Sequence, residues 1–373
     1  MHVIVTFISV IVIITLLNKI YEKNWNKRLF VNVEFSKKHA TTGETIELVE
    51  TIINQKALPI PLLNVKFKMS KNLLFLDDMD NQSSDFYYRN DIFSLLMYQK
   101  ITRTLEIQCI KRGYYQLSRL DLHFDTLFNN VPQNLTMLEH GEFYVLPQSL
   151  PFSDFQILYQ HIMGEIQSRR LIQEDPFEVI GIREYQSYDT MKSINWKASA
   201  RTMDLKVNIP SHTMNQEVTI LLNLESPLTR RFDHIMEESI SISSTLAEQL
   251  ISQGITVSLI SNGCDILTSD ATIVLRSASP AQIITIKESL ARIDLNIPCK
   301  STSSFFAPYL SSTNTNSYII LISAYQRDDL VEELNHSITN KNAFTWIFPT
   351  NEEYSLPVSF QYPNRILTWK IKS

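Results

Sequence analysis

The spacing of apolar residues changes once along this chain, and the change restricts it to two kinds of layered domain. Over residues 30–151 the period is two. Val31, Val33 and Phe35 alternate with polar residues, as do Ile46 and Leu48 between Thr45, Glu47 and Glu50. The same pattern returns at Leu63, Val65, Phe67 and Met69, at Leu105, Ile107 and Cys109, and at Leu120, Leu122 and Phe124. Short period-two runs predict antiparallel strands with one buried face. Two such sheets bury those faces against each other, so an immunoglobulin-like β-sandwich is expected. From residue 211 to residue 373 strand-like runs (218–224, 255–260, 318–323, 343–348) alternate with helical spacings (232–251, 280–293, 328–338). That alternation predicts an α/β domain with a mostly parallel sheet and helices on both faces. Residues 152–210 are read as a connector, with a helix or loop over residues 153–173.

Before the first strand lies a different segment. Residues 1–18 contain no Lys, Arg, Asp or Glu, and residues 3–17 are apolar except for Thr6, Ser9 and Thr15. Eighteen helical residues reach about 27 Å, close to a ~30 Å hydrocarbon core. A cleaved signal peptide would carry Lys or Arg before the run and small residues after it. Here the run ends in Asn18-Lys19-Ile20-Tyr21, so a retained single-pass anchor held by membrane lipid is expected. Lys19, Lys23, Lys27 and Arg28 follow it against one acid, Glu22. Cationic flanks stay cytoplasmic, which places the soluble body on the cytoplasmic side. The fold class is thus α+β multidomain: an N-terminal transmembrane helix, a β-sandwich and an α/β domain.

Composition removes several functions. The net charge of −5 opposes nucleic-acid binding, which favours a basic stripe. Only 7 of 373 residues are Gly, and neither G-x-G-x-x-G nor a Walker A sequence occurs, so no nucleotide cofactor is expected. Cys109, Cys264 and Cys299 are odd in number and form no C-x-x-C pair, which points to a reducing compartment. Cys109 reads as a buried small hydrophobe, and Cys264, after Asn262-Gly263, as the thiol in a plausible exposed loop. A hydrolase reading would need a His or cation beside it, and the sequence shows none. The acidic stretch around Asp78, Asp80 and Asp85 is a poor calcium loop. The turn glycine of such a loop falls on Ser83 and its final glutamate on Arg89.

The most specific stretch is Gly181-Ile182-Arg183-Glu184-Tyr185, then Asp189, then Ile194-Asn195-Trp196-Lys197-Ala198-Ser199-Ala200-Arg201. It resembles the signature of a bacterial family called domain of unknown function 58: R-E-Y-x-P-G-D, a spacer, then I-D/N-W-x-A-S/T-A-R. Ser187-Tyr188 stands where that family has Pro-Gly, so the turn must close without a positive φ at that point. Two readings of Arg183, Tyr185, Asp189, Asn195, Trp196, Lys197 and Arg201 stay open. In one, Arg183, Asp189 and Arg201 form an ion-pair network around a core Trp196. In the other, these Arg, Trp and Tyr side chains are a docking surface of hot-spot composition. No nucleophile–base pair is evident, so no catalytic role is assigned.

The order of elements after residue 211 resembles a von Willebrand factor A-like domain. Many such domains hold a divalent cation through D-x-S-x-S after the first strand. Here Asn223, Glu225 and Pro227 occupy those three places, and no metal is expected. The family resemblance implies a membrane-anchored, non-enzymatic scaffold or adaptor, because its members are often encoded beside MoxR-type AAA+ ATPases. The competing reading is an extracytoplasmic adhesion or ligand-binding module.

Overall fold

A computed structural model describes residues 2–77, 86–124, 133–172, 175–211, 217–226, 233–298, 300–310, 317–339, 344–350 and 360–371. The chain divides into two compact units, Met1–Gln148 and Ser149–Ser373.

The first unit opens with helix α1 (His2–Asn24), which continues six residues past the charge-free run. Its segment Ile4–Asn24 is long and apolar enough to cross a membrane, and none of that segment is buried in protein. The strands follow: β1 (Leu29–Phe35), β2 (His39–Thr41), β3 (Thr45–Asn54), β4 (Ile60–Ser70), β5 (Leu73–Phe75), β6 (Phe86–Leu95), β7 (Lys100–Cys109), β8 (Gly113–Phe124) and β9 (Gln133–Leu146). They form a four-stranded sheet ordered β1-β3-β7-β5 and a five-stranded sheet ordered β2-β9-β8-β4-β6. One core takes residues from both sheets, among them Leu48, Ile52, Leu105 and Ile107 from one and Leu63, Val65, Leu120 and Phe124 from the other. The period-two runs therefore point inward as expected. All pairings are antiparallel except the short β2–β9 pair, which is parallel.

Helix α1 is built into this unit at its exit. Trp25 is buried and stacks on Phe124 at 5.5 Å, and Tyr21 stacks on the same ring at 5.9 Å. The last carbonyls of a helix have no intrahelical donors. Here buried Lys56 supplies them: its Nζ donates to Asn24 O at 2.9 Å, to Lys27 O at 3.0 Å, and to Trp25 O. Burial lowers the Lys56 pKa to about 8, which still leaves it charged at neutral pH.

A second buried polar group joins the two sheets. Asp91 on β6 accepts from Arg89 Nε and Arg103 Nη1, each at 2.7 Å. Glu50 on β3 is only 1% exposed, and among the described residues neither carboxyl oxygen has a partner within hydrogen-bond geometry. Burial, then the charge of Asp91, raises its pKa to about 7. The sequence pairs Glu50 with the solvent-facing polar residues. Its even position instead shares a face with Ile46, Leu48 and Ile52.

The second unit begins with α2 (Phe152–Ile172). Although expected as a connector, α2 packs Phe155, Leu158, Ile162 and Ile166 into the core of the α/β body. A small two-stranded sheet of β10 (Asp175–Glu184) and β11 (Lys206–Ser211) follows, enclosing helix α3 (Trp196–Thr202). The α/β body comprises β12 (Glu217–Leu222), α4 (Asp233–Ser252), β13 (Thr256–Cys264), β14 (Ala271–Ser277), α5 (Ala281–Ala291), α6 (Thr302–Leu310), β15 (Ser317–Ile322), α7 (Asp328–Thr339), β16 (Phe344–Thr350) and β17 (Ile366–Lys370). Its six strands are ordered β14-β13-β12-β15-β16-β17, and only β14 runs antiparallel. One core packs α2, α4 and α5 on the sheet, and another packs α6 and α7, so the sheet is covered on both faces. β14, α6 and β17 are additions to the expected elements.

Candidate functional site

The signature residues all fall on the β10–α3–β11 motif, and they divide into two groups. The first group holds the motif together. Arg183 on β10 meets Asp189 in a two-pronged pair, Nη1 to Oδ2 and Nη2 to Oδ1, both 2.6 Å. Asp189 closes its own turn: its N–H donates to Gln186 O at 2.9 Å, and its Oδ2 accepts from Gln186 N at 2.8 Å. The turn uses no positive φ at Tyr188, whose ring instead lies 5.6 Å from the Arg183 guanidinium. The hydrogen bonds from Arg183 hold the Asp189 carboxyl below its ordinary value; burial opposes them, and the Gln186 amide adds a smaller lowering effect.

Asn195 caps α3 by accepting from Ala198 N at 2.9 Å, and its amide donates to Asn208 Oδ1 on β11 at 2.7 Å. Ser199 Oγ donates to Asn195 O and accepts from Lys206 N, both 2.9 Å. Ile194 and Val207 bridge and are buried. Tyr185 is half-buried and donates its N–H to Leu205 O at 3.0 Å. The helix is therefore riveted to β11 on one side.

The second group faces away from that side. Trp196 is 62% exposed, which corrects the expectation of a core plug. With Asn195 and Ser199 turned toward β11, position 196 falls at the margin of the free face, which leaves most of the indole exposed. Lys197 and Arg201 are exposed one turn apart on that face. Arg201 does not join the Arg183–Asp189 pair: it is exposed on the face of α3 opposite the Asn195 and Ser199 contacts to β11. Among the described residues neither Lys197 nor Arg201 has a hydrogen bond or ion pair. Met203, which ends α3 at φ 62°, is 93% exposed, and Tyr188 and Met191 are exposed nearby in sequence. The sequence reading missed Met203, whose signal was its place just after a short helix, where the chain must turn.

The crevice at the carboxyl ends of β12 and β15 is the topological switch point of the six-stranded sheet, where such folds bind ligands. Pro227 lies outside the described residues. Asn223 Oδ1 accepts from Glu225 N at 2.9 Å, Asn262 Nδ2 at 2.8 Å and Thr302 Oγ1 at 3.0 Å. Its amide donates to Ser323 Oγ at 2.9 Å; Glu225 Oε2 accepts from Thr302 N at 2.8 Å and competes with Asn223 Oδ1 for the single proton of the Thr302 hydroxyl. Burial, then the charge of Glu225, pushes the Tyr325 phenol up to about 12. These donors saturate the Asn223 oxygen. A cation would have to displace them and would gain one carboxylate, so the residues present do not fit a divalent ion. Among the described residues no three His, Cys, Asp or Glu side chains are grouped to share a metal. Asn262 and Thr302 escaped the sequence reading because they come from other crossings of the sheet.

A neighbouring cavity of about 300 Å³ is walled mainly by Leu224, Met236, Ile293 and Leu295, with Asp294 the one ionisable residue among the described residues that line it. Those described residues offer no nucleophile–base pair. Cys264 ends β13; burial, then Asp265, Asp270 and Asp294, raises its thiol pKa. Cys109 is fully buried, and its thiol is raised to about 11. Neither site favours a thiolate. Cys299 and the residues Asp78, Asp80, Ser83 and Asp85 lie outside the described residues.

No family model and no curated protein matches the chain. Among solved structures, the CARDB domain of a Pyrococcus furiosus protein in complex with di-metal ions is similar at 14% identity over 30% of this chain and 90% of that chain. The TM-score is 0.19, and a likeness at that level carries no argument.

Proposed function

We infer that this chain is a membrane-anchored, non-enzymatic scaffold that recruits a protein partner through the free face of α3. The observation that supports this most is the pairing of an exposed Trp196 with two exposed cations, Lys197 and Arg201, that have no ion pair among the described residues, on a helix fixed from behind. A solvent-facing tryptophan on a rigid support is a preorganised anchor, and Trp and Arg dominate interface energetics. The resemblance to the domain of unknown function 58 family makes a MoxR-type AAA+ ATPase the expected partner. The two packed sheets of the first unit support an immunoglobulin-like domain, and the order of elements after residue 211 supports a von Willebrand factor A-like one. The cationic flank of α1 supports a cytoplasmic body. The self-satisfied Asn223 crevice weighs against a cation-dependent adhesion module.

The test is a pull-down of the detergent-solubilised protein with and without ATP, read by mass spectrometry. An AAA+ ATPase recovered in a nucleotide-dependent manner supports the reading. Recovery of no ATPase under either condition refutes it.

A further inference from the structure

The end of the β-sandwich nearest the anchor carries apolar residues that its own core does not use. Strands β1, β4 and β7 begin at this end, and β3, β6 and β8 finish there, as the pairings Leu29↔Asn54, Ile53↔Lys100, Ile60↔Leu95 and Leu63↔Phe124 show. The turn between β6 and β7 is Leu96-Met97-Tyr98-Gln99, and its first three side chains are 59–69% exposed. Phe30 and Leu62, near the starts of β1 and β4, are exposed at the same end.

This turn is fixed to the helix exit by a short chain of bonds. Tyr98 N donates to Lys56 O at 3.2 Å, and the Lys56 ammonium holds the carbonyls of Asn24 and Lys27. Asn54 Nδ2 donates to Leu96 O at 2.8 Å, and Leu96 N donates to Gln99 Oε1 at 2.7 Å. Tyr98 sits at φ 55°, a left-handed conformation that bulky residues adopt at a cost. The turn is thus held in shape with its apolar side chains outward.

Helix geometry sets the depth. Eighteen residues reach about 27 Å of a ~30 Å core, and Asn24 lies six residues, about 9 Å, beyond Asn18, so it stands roughly 6–9 Å outside the hydrocarbon edge. Headgroups add roughly 5–8 Å to each side of the hydrocarbon core. The pinned turn is thus tied to a helix exit at the outer part of the headgroup layer when α1 spans the bilayer. Tyr98 suits that level, where aromatic side chains concentrate, and Lys19, Lys23, Lys27 and Arg28 match anionic headgroups.

We propose that Leu96, Met97 and Tyr98, with Phe30 and Leu62, form a second membrane contact that seats the β-sandwich on the bilayer beside its anchor. The contact rests on the reading of α1 as a transmembrane anchor. It fixes the orientation of the sandwich, which a single helix followed by a flexible linker would leave free.

The test uses the full chain in phosphatidylcholine–phosphatidylglycerol vesicles, with Cys264→Ser and Cys299→Ser as background. Nitroxide labels go on Ile11→Cys, Met97→Cys and Tyr88→Cys, all exposed positions. Tyr88 lies on the same strand, β6, about 24 Å from its membrane end. Accessibility to oxygen and to a water-soluble nickel complex is measured at each. Oxygen-shifted labels at 11 and 97, with a nickel-accessible label at 88, are the expected result. An oxygen-shifted 11 with 97 behaving like 88 overturns the contact and leaves the anchor standing. An oxygen-shifted 97 with a nickel-accessible 11 refutes the transmembrane reading and with it the seating of the sandwich beside an anchor. Nickel access at all three refutes both.

Discussion

Arg183 and Asp189 face each other through two parallel hydrogen bonds of 2.6 Å, and this pair closes the turn on which the rest of the signature is mounted. A planar guanidinium matched to a carboxylate fixes both distance and angle, so the pair orients the turn as well as holding it.

Asp189→Ala removes that closure and frees the Gln186 amide that Asp189 accepts. Hydrogen exchange of the amides in the 186–189 turn should accelerate by roughly ten-fold or more, with the six-stranded body unaffected. In the unaltered protein the Asp189 pKa is lowered. Its contribution is therefore complete above the ordinary carboxylate pKa and lost as pH falls through the depressed value. Unchanged exchange in the variant would show that the turn closes without the pair.

Glu50 gives a pH dependence of the opposite sign. The folded chain keeps its proton up to about pH 7, whereas the ordinary value is 4.5. Stability from this group is complete below that ordinary value and declines as pH rises to about 7. The groups facing it are Asp91, Arg103 and Arg89. Glu50→Gln should remove the decline and stabilise the protein at alkaline pH by about 3 kcal/mol. Denaturant melts of both proteins on either side of neutrality check this, and parallel pH profiles would contradict it.

Lys56→Met leaves the carbonyls of Asn24, Trp25 and Lys27 without their shared donor. Loss of a buried charged donor should cost on the order of 3 kcal/mol in the first unit. Loosening at the helix exit should also make Trp25, buried in the unaltered protein, more accessible to aqueous quenchers. A variant that melts and quenches like the unaltered protein would remove Lys56 as the link between anchor and sandwich.

Asn223→Ala removes the acceptor shared by Glu225 N, Asn262 Nδ2 and Thr302 Oγ1, although Asn262 Nδ2 keeps Lys300 O at 3.0 Å and the Thr302 hydroxyl keeps Glu225. A coupled buried network should lose about 2–4 kcal/mol, while partner recruitment at α3 persists in protein that remains folded. Loss of recruitment by a folded Asn223→Ala protein would move the functional site to the crevice.

Much of the fold was legible because strand parity and helical spacing report burial directly. Leu63, Val65, Phe67 and Met69 alternate in sequence and are all buried on β4. The parts that were not legible share a physical cause. Helix α6 carries Pro308 and a run of serines, so its local signals oppose the helix that tertiary packing imposes. Glu50 is charged, and charge outweighed parity in reading its side of the strand. Trp196 is apolar, yet an indole does not reveal whether anything covers it; that depends on Asn195 and Ser199 turning the other side of α3 toward β11. For the same reason the sequence could bring Arg183 and Asp189 together but could not exclude Arg201 from their pair.

The central claim is that the outer face of α3 recruits the partner. The most direct test is recovery of the nucleotide-dependent partner by full-length Trp196→Ala and Arg201→Ala proteins, each with its melting temperature measured alongside. Both side chains are exposed, so folding should be preserved. A hot-spot loss of about 2 kcal/mol corresponds to a roughly 30-fold weaker complex. The account predicts that loss for Trp196→Ala in a protein that melts normally. Full recovery of the partner by both folded variants would contradict it.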